Sequence, residues 1–236
     1  MSPCVVTTSW DDGAPADVRL AALLARHGLP GTFYVPRANP ERPVLAEGDL
    51  RDISRSFEIG SHTLGHRDLT ALSADRARAE LTGSRAWLED VVGRPVTSFC
   101  FPQGRWHAAA LRWVGEAGYT VARTADWFCE EPAVGTPALA RPTVHAYPQP
   151  FGVHLAHCLR RGPVSGLWRY LPLARGSWEA LACGAFDRVL ARGGVFHLWG
   201  HSWEVDAQGL WGPLERVLAH VAGRPGVSYV TNAGLA

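Results

Sequence analysis

The chain contains no lysine. All 23 of its basic residues are arginine, set against 22 acidic ones, for a formal net charge of +1. Without an amine side chain there is no Schiff-base nucleophile and no phosphate-loop lysine. Without a charge excess there is no electrostatic footprint for nucleic acid or an anionic membrane surface. The sequence also lacks a CxxC pair. Its five cysteines (Cys4, Cys100, Cys129, Cys158, Cys183) are scattered and odd in number, which excludes a disulfide framework or a thiolate zinc site and suits small buried side chains in a reducing compartment. No apolar run approaches the roughly 18 residues of a membrane span. The opening MSPCVVTTSWDDG has no basic stretch followed by an apolar one, as a secretory signal requires. Neither a G-x-S-x-G elbow nor GxGxxG occurs. These absences predict a cytoplasmic enzyme with no nucleic-acid or membrane partner.

What is present is a chain of 236 residues, 47% hydrophobic, enough for one domain with a sizeable core. The first 125 residues alternate β-rich runs (4–9, 31–35, 57–60, 96–101, 118–123) with helical periodicity. Residues 15–27 bring Val18, Leu20, Leu23 and Leu24 to one face and stop at Gly28; 73–92 start at Ser73, turn Leu81, Leu88, Val91 and Val92 inward, and end at Gly93; 107–117 close at Gly118. Residues 128–176 hold seven of the 17 prolines, which predicts loops with short helices, either a lid or a helical insertion. Regular pattern returns as a helix over 177–192, a strand over 194–199, a helix over 210–222 and a strand over 227–231. Strand–helix alternation of this kind predicts an α/β architecture of parallel βα units in a single domain, 1–236, with seven or eight strands forming a complete or an incomplete barrel.

Four strand ends concentrate ionisable or turn-forming groups, where α/β folds place active sites. Asp11 and Asp12 in SWDDG follow the first strand, and adjacent residues there point different ways, so one carboxylate can bind a metal while the other faces a water. His62 and His66 in SHTLGH converge on one ion if the backbone is helical or tightly turned. With Asp12 they make a two-His, one-carboxylate set with open positions, suited to zinc or a similar divalent cation such as cobalt or nickel. His197 and His201 in VFHLWGHSWE share a strand face with Trp199, and either imidazole suits a general acid; His201 lies nearer the strand end with Glu204 close enough to orient it, and His197 suits a substrate contact or, more readily, a packed core position. Pro102-Gln103-Gly104 can present backbone N–H groups to an anionic oxygen. His154 and His157 form a further pair without a carboxylate. Among ten tryptophans, Trp106, Trp127, Trp168, Trp199, Trp203 and Trp211 fall near the expected mouth or lid; Trp127, Trp199 and Trp203 are candidate sugar-stacking surfaces.

At these places the chain resembles the polysaccharide deacetylase family (the NodB-homology, carbohydrate esterase 4 group), over about residues 4–231. SWDDG is similar to the family's T-F-D-D-G, HTLGH to H-[ST]-x-x-H, FCFPQG to F-R-x-P-x-G, and HSWE to the H-P-W-E ending of one branch. The resemblance implies a distorted (β/α) barrel of about seven parallel strands and a metal-dependent deacylase. In it Asp11 is the general base, Asp12, His62 and His66 hold the metal, His201 is the general acid and the Gln103 N–H assists the oxyanion. Two departures stand out: the family's arginine beside the catalytic aspartate is Cys100 here, and its D-x-x-D-W element is reduced to ARTADW. Arg123, on the next strand, is the first candidate to supply the missing guanidinium, with Arg105 second. The expected substrate is a small N-acylated sugar or related intermediate. The alternatives are another C–N bond, formamide or cyclic amide, and a non-catalytic carbohydrate-binding relative.

Overall fold

A computed structural model describes residues 3–160, 170 and 176–236, without the side chains of 158–160. Cys158, Trp168 and part of the proline-rich segment therefore lie outside the described side chains. Nine strands form one parallel sheet: β1 (Cys4–Asp11), β2 (Thr32–Val35), β3 (Glu58–Ser61), β4 (Ser98–Cys100), β5 (Val121–Arg123), β6 (Ala138–Ala140), β7 (Val144–His145), β8 (Gly194–Gly200) and β9 (Val227–Tyr229). The path runs β6-β5-β4-β3-β2-β1-β8-β7, with β9 against the first residues of β1. The two ends of that path, β6 and β7, are joined by residues 141–143 alone. A link so short reaches on the order of 14 Å when extended, so the edges are neighbours and the sheet is curled into a barrel. Thr143 N donates to His197 O, and Phe128 N to Thr143 O, knitting the seam.

The helices are α1 (Asp17–Arg26), α2 (Glu47–Ser54), α3 (Ala74–Val92), α4 (Ala108–Glu116), α5 (Phe151–Arg160), α6 (Trp178–Arg192), α7 (Ser202–Ala207) and α8 (Trp211–Val221). In α1, Leu20, Leu23 and Leu24 pack inward as their spacing predicts, but Val18 is 45% exposed, one position off the buried stripe. In α3, Leu81, Leu88 and Val91 are buried, Val92 sits at the edge of the core, and Gly93 ends the helix at φ +70°. Truncating a fully buried leucine such as Leu20 to alanine costs about 2–5 kcal/mol.

The middle of the chain differs from the expected loops with short helices. It contains β6, β7 and a ten-residue helix, α5. Strands of three and two residues leave no readable alternation, and Pro137, Pro142 and Pro148 flank rather than interrupt them. Helix α2 also escapes the periodicity, because eight residues with only Leu50, Ile53 and Ser54 buried carry too short a stripe. No helix of the described residues is long and apolar enough to cross a membrane.

Candidate metal and acid–base site

Every parallel strand of the barrel points its C-terminal end at the same face, so residues just past β1, β3, β4, β5 and β8 meet there. They line a pocket of about 280 Å³ that includes Asp11, Asp12, Arg42, His62, His66, Gln103, Arg123, Trp199, His201 and Trp203. The backbone is bent to bring them in. Asp12 (φ +77°), Thr63 (φ +66°), His66 (φ +52°) and Gln103 (φ +57°) are four of the five non-glycine residues at positive φ among the described residues. Such conformations cost free energy and persist where function needs the geometry. Gly13 (φ +56°) completes the turn after Asp12; a Cβ there would sit 2.6 Å from Val35 Cγ1, so only glycine lets the turn press against β2.

Asp12 faces both imidazoles of the HTLGH loop. Its Oδ1 lies 3.1 Å from His66 Nε2 and 3.6 Å from His62 Nε2. Two ligands about 2.1 Å from one ion at a tetrahedral angle stand about 3.4 Å apart, so this spacing fits ligation. The chemistry of the set agrees. His62 Nδ1 donates to Cys100 O at 2.9 Å, which leaves the Nε2 lone pair directed at Asp12. Burial alone would raise the Asp12 carboxyl, but the two imidazoles beside it and the charge of His201 hold it well below the ordinary range. Its other oxygen, Oδ2, accepts from Trp203 Nε1 at 2.8 Å and lies 3.6 Å from Arg42 Nε. Residues Asp12, His62 and His66 thus fit a divalent cation, with Oδ1 the coordinating oxygen.

Asp11 is buried and held on one side only. Arg123 Nη2 donates to Oδ2, and the Cys100 thiol lies 3.7 Å from the same oxygen. Oδ1 has no hydrogen-bonding partner among the described residues. Of the two arginines weighed as replacements for the family's guanidinium, Arg123 reaches Asp11, while Arg105 binds Asp68 at 3.2 Å. Arg123 is almost wholly buried, and burial pulls it down to about 9; its guanidinium stacks 4.7 Å from the Trp199 ring centroid. Cys100 therefore stands where the resemblance expected an arginine, with the cation arriving from β5 instead of β4.

The HSWE stretch deals its side chains to different tasks as β8 gives way to α7. His201 Nε2 stands 4.0 Å from Asp11 Oδ2, and its Nδ1 is 2.7 Å from Glu204 Oε2. Trp203 turns to Asp12, and Ser202 is buried under α7. His145, at the end of β7, lies 3.0 Å from the same Glu204 oxygen. Burial would raise Glu204, but hydrogen bonds from the two imidazoles bring it down to about 2. His145 was not singled out by the sequence; a two-residue strand between prolines offers no signal, and only its placement beside Trp199 reveals it.

The remaining candidates fall differently. Gln103 lines the pocket, as do Trp199 and Trp203. His197 is fully buried against Ser9 Oγ at 2.8 Å, is lowered to about 3 by burial and the charge of Arg123, and is not among the pocket-lining residues. Trp127 is buried, stacked on His157 at 4.2 Å, and is not among the pocket-lining residues. His154 packs beside Trp127 and Phe128 rather than pairing with His157 over an ion. Trp106 bonds Asp126, and Trp211 bonds Asp206 under Arg19. A roomier cavity of about 500 Å³, lined by Pro3, Glu130, Glu131 and Arg192 among others, contains none of these site residues.

A family model described as polysaccharide deacetylase matches residues 1–122. A chitin deacetylase of Pestalotiopsis sp is 29% identical over 125 residues, 50% of this chain and 41% of its own. The matched stretch spans less than half the length of each of the first curated relatives. Among solved structures, a Mycobacterium smegmatis protein assigned as a polysaccharide deacetylase covers 100% of this chain and 92% of its own at a TM-score of 0.71 and 20% identity. Puue allantoinase covers 98% and 87% at a TM-score of 0.67 and 13% identity. These structural likenesses fix the fold as the curled (β/α) barrel.

Proposed function

Because this chain belongs to the polysaccharide deacetylase family, we propose that it is a metal-dependent amide hydrolase that removes an N-acyl group, acetyl first, from a small amino sugar or sugar-containing intermediate. One observation carries this reading: an ion-spaced Asp12, His62 and His66 set shares a pocket with a second carboxylate, Asp11, and an imidazole, His201. Zinc suits two imidazoles and a carboxylate, and cobalt or nickel are the other candidates. Bound there, the cation would polarise the acyl carbonyl and acidify the attacking water.

The chain's own groups then divide the proton work. Asp11, with Oδ1 unengaged and Oδ2 fixed by Arg123, takes a proton from the water as its oxygen bonds to the acyl carbon. Gln103 lines the same pocket, and its backbone N–H would favour charge on the carbonyl oxygen. His201, braced by Glu204, gives a proton to the nitrogen as the C–N bond breaks, so the products are a carboxylic acid and an amine. Each acid–base participant contributes roughly 10²–10⁴-fold. Trp203 can offer a ring face to a sugar, whereas Trp199 is buried with His145 and Arg123 packed on its ring, and a pocket of about 280 Å³ suits one small ligand better than a bound polymer. The thiols of Cys4, Cys100 and Cys183 are free, which fits a reducing, cytoplasmic setting.

The test is metal analysis together with acetate or formate release from a panel of N-acetylated and N-formylated sugars. Stoichiometric zinc with acyl release from at least one sugar is expected. Bound sugar without release would support a binding protein in place of an enzyme.

A further inference from the structure

The second cluster of the site, His145, His201 and Glu204, has the composition of a metal set but not its spacing. Glu204 Oε2 stands 2.7 Å from His201 Nδ1 and 3.0 Å from His145 Nε2. These are hydrogen-bond separations, and they make both imidazoles donors onto one carboxylate oxygen. On its far side His145 Nδ1 is 3.1 Å from Gln149 Nε2; the amide N–H donates, which fixes the proton of a neutral His145 on Nε2. Burial keeps His145 neutral, down to about 4. Its ring lies flat on Trp199, 4.2 Å between centroids and 16° between planes. The result is one directed chain, Gln149 to His145 to Glu204, meeting His201 from the other side.

We infer that His145 is a positioning residue for His201: by donating to the oxygen that His201 also uses, it locks the Glu204 carboxylate in place and moderates its pull on the His201 proton. This rests on the reading of His201 as proton donor. A carboxylate that served His201 alone would hold the imidazolium more tightly and release its proton less readily. Sharing the oxygen with a neutral donor spreads the carboxylate charge, so His201 becomes the more acidic donor a departing amine needs. The groups facing His201 are Glu204, His145 and Asp11, with Asp12 and Asp17 at longer range and the rings of Trp199 and Trp203. Those facing His145 are Glu204, His201, Gln149 and Arg123, with the rings of Trp127, Tyr147 and Trp199. Removing the His145 imidazole frees the Glu204 oxygen for His201 alone and leaves the Gln149 amide without its acceptor.

The experiment follows the His201 resonance of the zinc-loaded full chain through a pH titration with carbon-labelled histidine. His145→Phe keeps a ring on Trp199 and deletes the donor; it should raise the His201 midpoint by about 0.5–1 pH unit. His145→Gln restores a donor and should return the midpoint to within about 0.2 unit of wild type. Gln149→Leu, at a half-buried position, should move it the same way as His145→Phe by less. Glu204→Gln removes the charge itself and should move it down. The alkaline limb of kcat/KM should follow each shift, which a purely structural loss would not produce. If His145→Phe and Gln149→Leu both leave the midpoint in place, or lower it, the assignment is overturned, and Gln149→Leu alone decides if the His145 variant does not fold. Shifts of the expected signs without acyl release would sink the deacylase reading and leave the relay standing. Acyl release with an unmoved midpoint would do the reverse.

Discussion

Two clusters of identical composition, each a pair of imidazoles and one carboxylate, flank Asp11 and differ in spacing by less than an ångström. In the first, Asp12 Oδ1 stands 3.1 and 3.6 Å from His66 and His62; in the second, Glu204 Oε2 stands 2.7 and 3.0 Å from His201 and His145. The wider set leaves room for a cation between its members, whereas the tighter set is filled by shared protons. The backbones explain the difference. Asp12 and His66 sit at positive φ on separate loops that hold their side chains apart. His201 and Glu204 are one turn apart at the start of α7, an i, i+3 pair that closes to contact. Composition alone therefore does not decide between ligand and relay.

The largest effect should come from Asp12→Ala: loss of bound zinc, measured by elemental analysis after gel filtration, and turnover at background. Zinc retained at full stoichiometry would erase the distinction between the clusters. Next, Asp11→Asn and His201→Ala should each lower kcat by roughly 10²–10⁴-fold while the metal stays bound; a variant of either kind that lost the ion would move that residue into the first cluster. A smaller effect belongs to Trp203→Phe, which keeps a ring beneath Arg42, 3.6 Å from its guanidinium, but deletes the N–H on Asp12 Oδ2. Zinc affinity by chelator competition should weaken by roughly 10–100-fold, with most of the turnover recovered at saturating zinc. Unchanged affinity would leave Trp203 as a sugar platform only.

The first cluster was the more legible of the two. Asp11, Asp12, His62 and His66 lie in short motifs directly after strands whose apolar runs are easily read, so their meeting at one barrel face followed from the parallel βα pattern. His201 and its neighbour Glu204 were readable for the same reason. Arg123 was found by asking what replaces an expected arginine, since Cys100 fills that place with a neutral thiol that reaches Asp11 at 3.7 Å but brings it no positive charge. His145 was not legible: its position depends on where the proline-rich chain crosses the seam, and that is set by tertiary closure between β6 and β7 rather than by local pattern. His197 shows the opposite failure. Strand alternation puts it on the same side as Trp199, but it sits deeper in the barrel, where Ser9 satisfies it.

The smallest effect on turnover, and the finest probe of the comparison, comes from Asp17. It is fully buried at the start of α1, with the Ser202 hydroxyl beside it. One member of each cluster acts on it. Burial raises it first, the Ser202 hydroxyl opposes that, the negative charge of Asp12 adds to the rise and His201 opposes it, leaving it at about 8 against an ordinary 3.8. The sign of the consequence follows from linkage. The unfolded chain releases this proton from about pH 4, while the folded protein keeps it until about 8, so folding stability declines across that window, by up to about 1.4 kcal/mol per pH unit. Asp17→Asn mimics the neutral acid and removes the decline. Thermal unfolding of the two proteins should therefore nearly coincide at pH 4, diverge in favour of the variant up to about pH 8, and run parallel above it, with kcat within about twofold throughout. A constant gap over the whole range would mean that Asp17 ionises normally, and that the interior between the clusters is more polar than its burial indicates.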